Sequence, residues 1–414
     1  MNDANPLLLV VCFPVSVHSQ RWVSMLAGSG YRVVVFPSVL QDYCGEFEFA
    51  GVVATREAAE RYPAGSILRY DDSRIESVAA SATERRVGYV PLKSAVHVGA
   101  HLLSSPDSLL SAIDNLRPDI LHTLELQHAG YVGLEARLRC PDGFPIWIAS
   151  GWGSDTFLYR KLPEHLDRLQ TMARLLDGFH SDCARDGALL EQWGFRGLHF
   201  PDVAASGGVD LATYPHPDDL PPPSQRRMIL VKGYHHWAGR GMDVLLAIHK
   251  IAPALHGLQI RISHAPPVMA RAATIVAREN GLDIVADPYY RDQASAVRRL
   301  AAARVVVGYG ISDGISTTLL EAMTVGTYCI QADTACGCEW IEPGVSGMSV
   351  PAHDVDALAA ALLRAATDDD LVDAAVWRNR QEIERRWSAE AVAPLVLEGY
   401  AALLGAGESP RRRA

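Results

Sequence analysis

Leu7-Leu8-Leu9-Val10-Val11-Cys12-Phe13 is apolar at every position, and Arg32-Val33-Val34-Val35-Phe36 follows after a stretch long enough for one helix. An unbroken run, as opposed to a period of two, marks a strand covered on both faces, as in parallel sheets. Similar runs stand at Asp119-Ile120-Leu121-His122, Pro145-Ile146-Trp147-Ile148-Ala149 and Gly178-Phe179-His180, with helical patterns between them. The pattern predicts an α/β doubly wound domain. The most proline-dense stretch, Tyr214 to Ser224, cannot continue a helix or a central strand, which places an interdomain linker at 215–226 and an N-terminal domain at 1–214. Beyond it the alternation restarts, with strands expected at Met228–Val231, Leu258–Ile262, Arg304–Val307 and Thr327–Ile330. This second α/β domain is assigned to 227–385. Asp368-Asp369-Asp370 opens a helical stretch to about Leu404, and its last part, 386–405, is expected to pack back toward the first domain. In such sheets ligands gather at the carboxyl ends of the strands, so a cleft between two facing domains is the expected place for chemistry.

The chain has 414 residues, enough for two or three domains, and its 49% hydrophobic and 21% charged residues exclude disordered, collagen-like and coiled-coil classes. A formal charge of -10 disfavours a surface built to hold nucleic acid or anionic lipid over most of its area. Seven cysteines without CxxC spacing signal neither a disulfide framework nor a zinc site, and Cys336-Gly337-Cys338 reads as free loop thiols. The run at Leu7 is too short to span a membrane and its acidic start lacks a signal peptide's positive region, so a cytoplasmic protein without an integral membrane segment is expected. The terminal Arg411-Arg412-Arg413 reads as a solvated end. Only Lys93, Lys161, Lys232 and Lys250 are lysines, which makes a lysine at a strand end worth notice.

The segment Gly308-Tyr309-Gly310-Ile311-Ser312-Asp313-Gly314-Ile315-Ser316-Thr317-Thr318-Leu319-Leu320-Glu321-Ala322-Met323 joins a buried strand, a glycine loop and a helix start capped by the Ser316-Thr317-Thr318 cluster. A helix start offers free N–H groups and a positive dipole end to an anion such as a diphosphate. Asp313 stands before the helix and Glu321 in its early turns. A carboxylate suits a vicinal diol such as that of a ribose, while a solvated Asp and a helix-favouring Glu remain an equally open local reading.

These residues resemble the family 4 glycosyltransferases of GT-B fold, whose C-terminal domain carries an acid, seven residues, then Glu-Ala-Met and a Gly. Asp313 through Glu321-Ala322-Met323 and Gly326 follow that order, with Asp313 where the family commonly has Glu. Glu339 to Pro351 and Gly208-Val209-Asp210 also resemble the family. The resemblance implies two Rossmann-like doubly wound domains facing across a cleft, with Glu321 binding the nucleotide ribose and Asp313 near the donor sugar hydroxyls. Gly314, Ser316, Thr317 and Thr318 are the further residues expected to bind the donor.

The stretch Lys232-Gly233-Tyr234-His235-His236-Trp237-Ala238-Gly239-Arg240-Gly241 leaves the first strand of the second domain. Two cations in one strand-to-helix loop can neutralise a diphosphate leaving group, the role that the resemblance implies for Arg240 and Lys232. His235 and His236 read as solvated loop residues. In the first domain, Pro14 to Trp22 resembles the family's loop before its first helix, which makes His18 a candidate beside the reacting groups, although a helix-capping role reads equally well. A comparable His acts as base in the inverting family 1 glycosyltransferases, so stereochemistry stays open at the level of residues. Ser150-Gly151-Trp152-Gly153-Ser154-Asp155 resembles the place where many members carry a His or Asp touching the donor sugar, and Asp155 is the candidate. Tyr289 is a candidate to flank the base, with Tyr290 beside it and a rim role as the other reading.

The expected function is therefore a retaining glycosyltransferase that uses a nucleotide-diphosphate sugar, UDP-sugar first, an unidentified acceptor and no metal or other cofactor. A nucleotide-sugar 2-epimerase, a phosphorylase of the same fold and a non-catalytic nucleotide-sugar-binding protein are the rival readings.

Overall fold

The computed structural model describes residues 5–43, 47–79, 102–287 and 293–405. The chain divides into two compact units: unit 1 comprises Met1–Gly208 with Ala389–Ala414, and unit 2 comprises Val209–Ser388. Among the described residues, no helix is long and apolar enough to cross a membrane.

Unit 1 holds β1 (Leu7–Cys12), β2 (Arg32–Pro37), β3 (Gly51–Val53), β4 (Ile67–Tyr70), β5 (Ser77–Ala79), β6 (Leu102–Ser104), β7 (Ile120–Leu124), β8 (Ile146–Gly151), β9 (Gly178–Ser181) and β10 (Leu198–His199). Its main sheet runs β10-β9-β8-β7-β1-β2-β4-β3, with every pair parallel, and β5 and β6 form a separate antiparallel pair. Strand β1 lies between β2 and β7, with Leu8 opposite both Val33 and Ile120, and all six of its residues are buried. Its continuous apolar run is what this central position requires. Leu8, Val10 and Cys12 pack with Trp22, Val23 and Leu26 of the helix Val17–Met25, and with Val392, Val396, Tyr400 and Leu403 of the helix Ala389–Gly405. The spacing of those last four residues puts them on one helical face.

Unit 2 holds β11 (Met228–Lys232), β12 (Gln259–Ser263), β13 (Asp283–Ala286), β14 (Ala303–Gly308), β15 (Tyr328–Ala332) and β16 (Met348–Val350). All pairs are parallel in the order β13-β12-β11-β14-β15-β16. Counted within the unit this is 3-2-1-4-5-6, the order of a doubly wound dinucleotide-type sheet. The GT-B fold class expected from the sequence is thus observed in both Rossmann-like sheets.

The crossings between units fall at Gly208/Val209 and Ser388/Ala389, whereas the sequence placed them around 215–226 and 386. The proline-dense segment forms short 3-10 turns on unit 2, with Tyr214, Pro217 and Pro223 buried. Arg226 secures it by donating to the carbonyls of Pro221, Ala303 and Val325, and Ser224 bonds Asp373 through both its N–H and its hydroxyl. Prolines do stop helix and strand here, but carbonyls without amide partners find a buried guanidinium instead of solvent. The long C-terminal stretch is two helices, Asp369–Arg386 and Ala389–Gly405, interrupted where the Trp387 carbonyl accepts the Val209 N–H at 3.0 Å.

Candidate active site

In unit 2 the strand order reverses between β11 and β14, so the loops after these two strands border the crevice where such sheets take ligands. The sequence puts Lys232 at the end of β11 and the glycine loop after β14. Chain neighbours of these loops are held together: Gly239 pairs with Gly310, Arg240 N–H donates to the Tyr309 carbonyl at 3.0 Å, and Ile311 N–H to the Ala238 carbonyl at 2.9 Å. The approach needs glycine at 310, where a Cβ would stand 2.8 Å from the Ala238 oxygen of the facing loop, while a Cβ on Gly239 would stand 2.5 Å from the Tyr234 oxygen of its own loop.

That zipper brings Lys232 to the start of the helix Thr317–Thr324. Lys232 Nζ donates to Ser316 Oγ at 3.3 Å and pairs with Asp313 Oδ2 at 3.4 Å, and it lies 5.2 Å from the Tyr234 ring centre. Ser316 is the N-cap residue by position, yet its hydroxyl makes no capping bond to the helix. The first amides of the helix, those of Thr317 and Thr318, have no intrahelical acceptor, and both residues are half-buried. Gly314 N–H donates to Asp313 Oδ1 at 3.1 Å and the Gly314 carbonyl accepts from Cys336 N–H, which fixes the loop from behind. A cation, a hydroxyl and a helix end therefore converge on one point, an arrangement suited to a phosphate-sized anion.

Glu321 is buried one turn further on and accepts from the Tyr214 hydroxyl at 3.2 Å, whose oxygen in turn accepts from Gln293 Nε2 at 3.0 Å. Sequence reasoning missed Tyr214 and Gln293, because a tyrosine at the edge of a proline-rich stretch reads as linker. Arg240 lies on the same loop as Lys232, but its guanidinium donates to the carbonyls of His236 and Gly239, so its side chain is not gathered to Asp313. His264, after β12, adopts φ 57°, packs on Tyr234 and is pushed down to about 4 by burial and then by the Lys232 charge. Tyr289 and Tyr290 lie outside the described residues.

In unit 1 the order reverses between β1 and β7. After β1, the His18 N–H donates to Ser16 Oγ, which caps the helix Val17–Met25, and the His18 ring lies 5.3 Å from that of Trp152. Asp155 accepts from the amides of Trp152 at 2.8 Å and Leu126 at 3.3 Å, which ties the ends of β8 and β7 together. Burial above all, then the nearby Asp186 and Glu125, hold its carboxyl well above the usual range. Glu125, which the sequence reading passed over, sits at φ 75° and accepts from the amides of Gln127, His128 and Ala129. A non-glycine residue held there at a strand end is a strained position fixed by its surroundings. The structure thus brings Lys232, Asp313 and Ser316 together in unit 2, and His18, Trp152 and Asp155 in unit 1.

Residues 240–368 match the family model described as glycosyl transferases group 1. The chain is 28% identical over 228 residues to a phosphatidyl-myo-inositol mannosyltransferase of Mycolicibacterium smegmatis, covering 53% of this chain and 56% of that protein. It is 25% identical over 193 residues to a putative colanic acid biosynthesis glycosyltransferase, WcaL, of Salmonella typhimurium, covering 45% and 47%. The chain therefore spans about half the length of the curated relatives it matches. Among solved structures, sucrose-phosphate synthase of Thermosynechococcus elongatus superposes with a TM-score of 0.64 at 16% identity, over 97% of this chain and 100% of that one. HepE of Anabaena, solved with UDP-glucose, gives 0.64 at 12% identity, over 96% and 99%. Residues 240–368 thus resemble the group 1 glycosyl transferases, and the chain that carries them has the fold of the GT-B glycosyltransferases.

Proposed function

We propose that the protein is a retaining, metal-independent glycosyltransferase that moves a sugar from a nucleotide-diphosphate sugar to an acceptor hydroxyl or amine, with UDP-sugar as the favoured donor. The observation that carries this reading is Lys232 held between Asp313 and Ser316 at the open end of the helix Thr317–Thr324. A diphosphate docked on the amides of Thr317 and Thr318 meets the Lys232 ammonium, and charge building on the departing diphosphate is stabilised there. Lys232 then exchanges its contact with Asp313 for the phosphate, and the released carboxylate is free to accept from a sugar hydroxyl. Arg240 joins by giving up two backbone carbonyls. Glu321 takes the ribose diol, with Tyr214 and Gln293 fixing its orientation. These protein groups supply the countercharge, so the reading needs no metal. Retention follows from the family resemblance, by attack on the face the diphosphate leaves. UDP stands first because the structurally similar HepE was solved with UDP-glucose. Incubation with a panel of nucleotide sugars, with nucleotide release measured with and without candidate acceptors, tests the proposal. Binding and turnover of none of them overturns it, and a 2-epimerised sugar nucleotide as product replaces it.

A further inference from the structure

We propose that Arg160, Lys161 and Arg185 form a binding site for a phosphate group carried by the acceptor, assembled on the ring of Phe157 in unit 1. Phe157 ends the short helix that follows β8, Arg160 and Lys161 lie in the next turn, and Arg185 opens the helix that follows β9. All four residues therefore stand at the carboxyl edge of the parallel sheet, beyond the strand ends that carry Trp152 and Asp155. The Arg185 guanidinium lies 4.1 Å from the Phe157 ring centre, the Lys161 ammonium 5.0 Å and the Arg160 guanidinium 5.2 Å. Cation–π attraction explains how one ring gathers three cations, but it uses none of the N–H donors of Arg160 and Lys161.

The charge balance points to an anion. Arg185 is paired with Asp186 at 2.9 Å, whereas among the described residues Arg160 and Lys161 make no ion pair, and the Arg160 Nε–H is buried without an acceptor. Of the other carboxylates of this edge, Asp155 is turned to the amides of Trp152 and Leu126, Glu125 to those of Gln127, His128 and Ala129, and Asp182 stands within 4.8 Å of Asp186. Two adjacent cations that make no ion pair among the described residues stand out in a chain of formal charge -10. A guanidinium fork beside a flexible ammonium matches the oxygens of a phosphate mono- or diester. The donor's diphosphate already has its groups in unit 2, so this second anion site falls to the acceptor; only that word rests on the proposed transfer reaction.

The test uses the full chain and two phosphate probes: glucose 6-phosphate, followed by calorimetry, and vesicles of phosphatidylglycerol in phosphatidylcholine, followed by sedimentation. Wild-type protein should bind at least one probe, which tells a soluble phosphate from a lipid headgroup. The Arg160→Gln/Lys161→Gln variant should bind it at least tenfold more weakly, with the UDP-induced rise in Tm unchanged. Phe157→Leu keeps the cations but removes the ring that gathers them, and should weaken binding roughly two- to fivefold. Arg271→Gln/Arg278→Gln, which removes two exposed cations of unit 2, should change nothing. No binding of either probe by wild type, a loss below tenfold in the double variant, or an equal loss in the unit 2 control overturns the site. Phosphate binding without turnover of any nucleotide sugar sinks the transfer reading and leaves the site standing.

Discussion

Replacing His180 by Gln should make unit 1 less stable at neutral pH and more acid-tolerant than the wild type below about pH 5. The reasoning starts from a buried chain of hydrogen bonds in which each proton can be placed. His180 Nε2 is 2.8 Å from the Val203 carbonyl, which can only accept, so Nε2 carries the proton and Nδ1 accepts from Ser150 Oγ at 3.0 Å. Ser150, having given its one proton, accepts from His122 Nε2 at 2.8 Å. His122 Nδ1 then accepts from the Tyr400 hydroxyl at 2.6 Å, and the Tyr400 oxygen accepts from Trp22 Nε1 at 3.1 Å. Both imidazoles are neutral, and a second proton on either would turn an acceptor into a donor facing a donor. Burial lowers the pKa of His180 from 6.5 to about 4, and burial followed by the neighbouring His180 lowers that of His122. The sign is fixed by linkage. Above 6.5 neither state binds the extra proton; below it the unfolded chain does and the folded one does not, so stability is lost until the folded value is reached. One unit is worth about 1.36 kcal/mol, so His180 alone costs about 2.5 kcal/mol by pH 4.5. The raised carboxyls of Asp155 and Asp186 act in the opposite sense, which is why the difference between variant and wild type must be read. Calorimetric melts at intervals from pH 7.5 to 4.5 should show His180→Gln starting about 1–3 kcal/mol below wild type. It should then gain on wild type by about 5–10 °C in the unit 1 transition, at roughly 2–4 °C per kcal/mol. A difference that does not change with pH would refute the neutral assignment.

Lys232→Met should reduce nucleotide release at least tenfold, since charge-assisted contacts are worth roughly 1.5–3 kcal/mol, while the partly exposed pair with Asp313 contributes little to the melt. Glu321→Ala should weaken donor use by a similar factor, seen as a smaller UDP-induced Tm shift, and Tyr214→Phe should reproduce part of it. Gly310→Ala pushes a Cβ to within 2.8 Å of the Ala238 oxygen, so it should part the two loops and lower turnover more than a stability loss of about 1–3 kcal/mol explains. Treatment with EDTA should leave turnover unchanged in the same release assay.

The central strands were legible because a strand flanked on both sides needs an unbroken apolar run, as β1, β2, β11 and β14 have. Short outer strands such as β3, β10 and β16 carry too few residues to stand out from loop. Asp313, Ser316 and Glu321 could be read because a glycine loop and a helix start are local features. Their partners could not: Tyr214 reaches Glu321 across 107 positions and Lys232 reaches Ser316 across 84, and no local pattern records such pairings. Glu125 escaped notice for a related reason, since its role lies in a backbone angle that no residue type except glycine advertises.

Because the helix Ala389–Gly405 belongs to unit 1, the body that starts to emerge from the ribosome before unit 2 is completed after it. Until Tyr400 emerges, His122 and Trp22 lack the hydroxyl that joins them, and the apolar face of β1 lacks Val392 and Val396. Unit 2 is inserted in unit 1 and can mature while its host waits. Residues 1–208 made alone therefore form an incomplete body, and an isolated unit 1 is best made by joining 389–405 to it through a short linker.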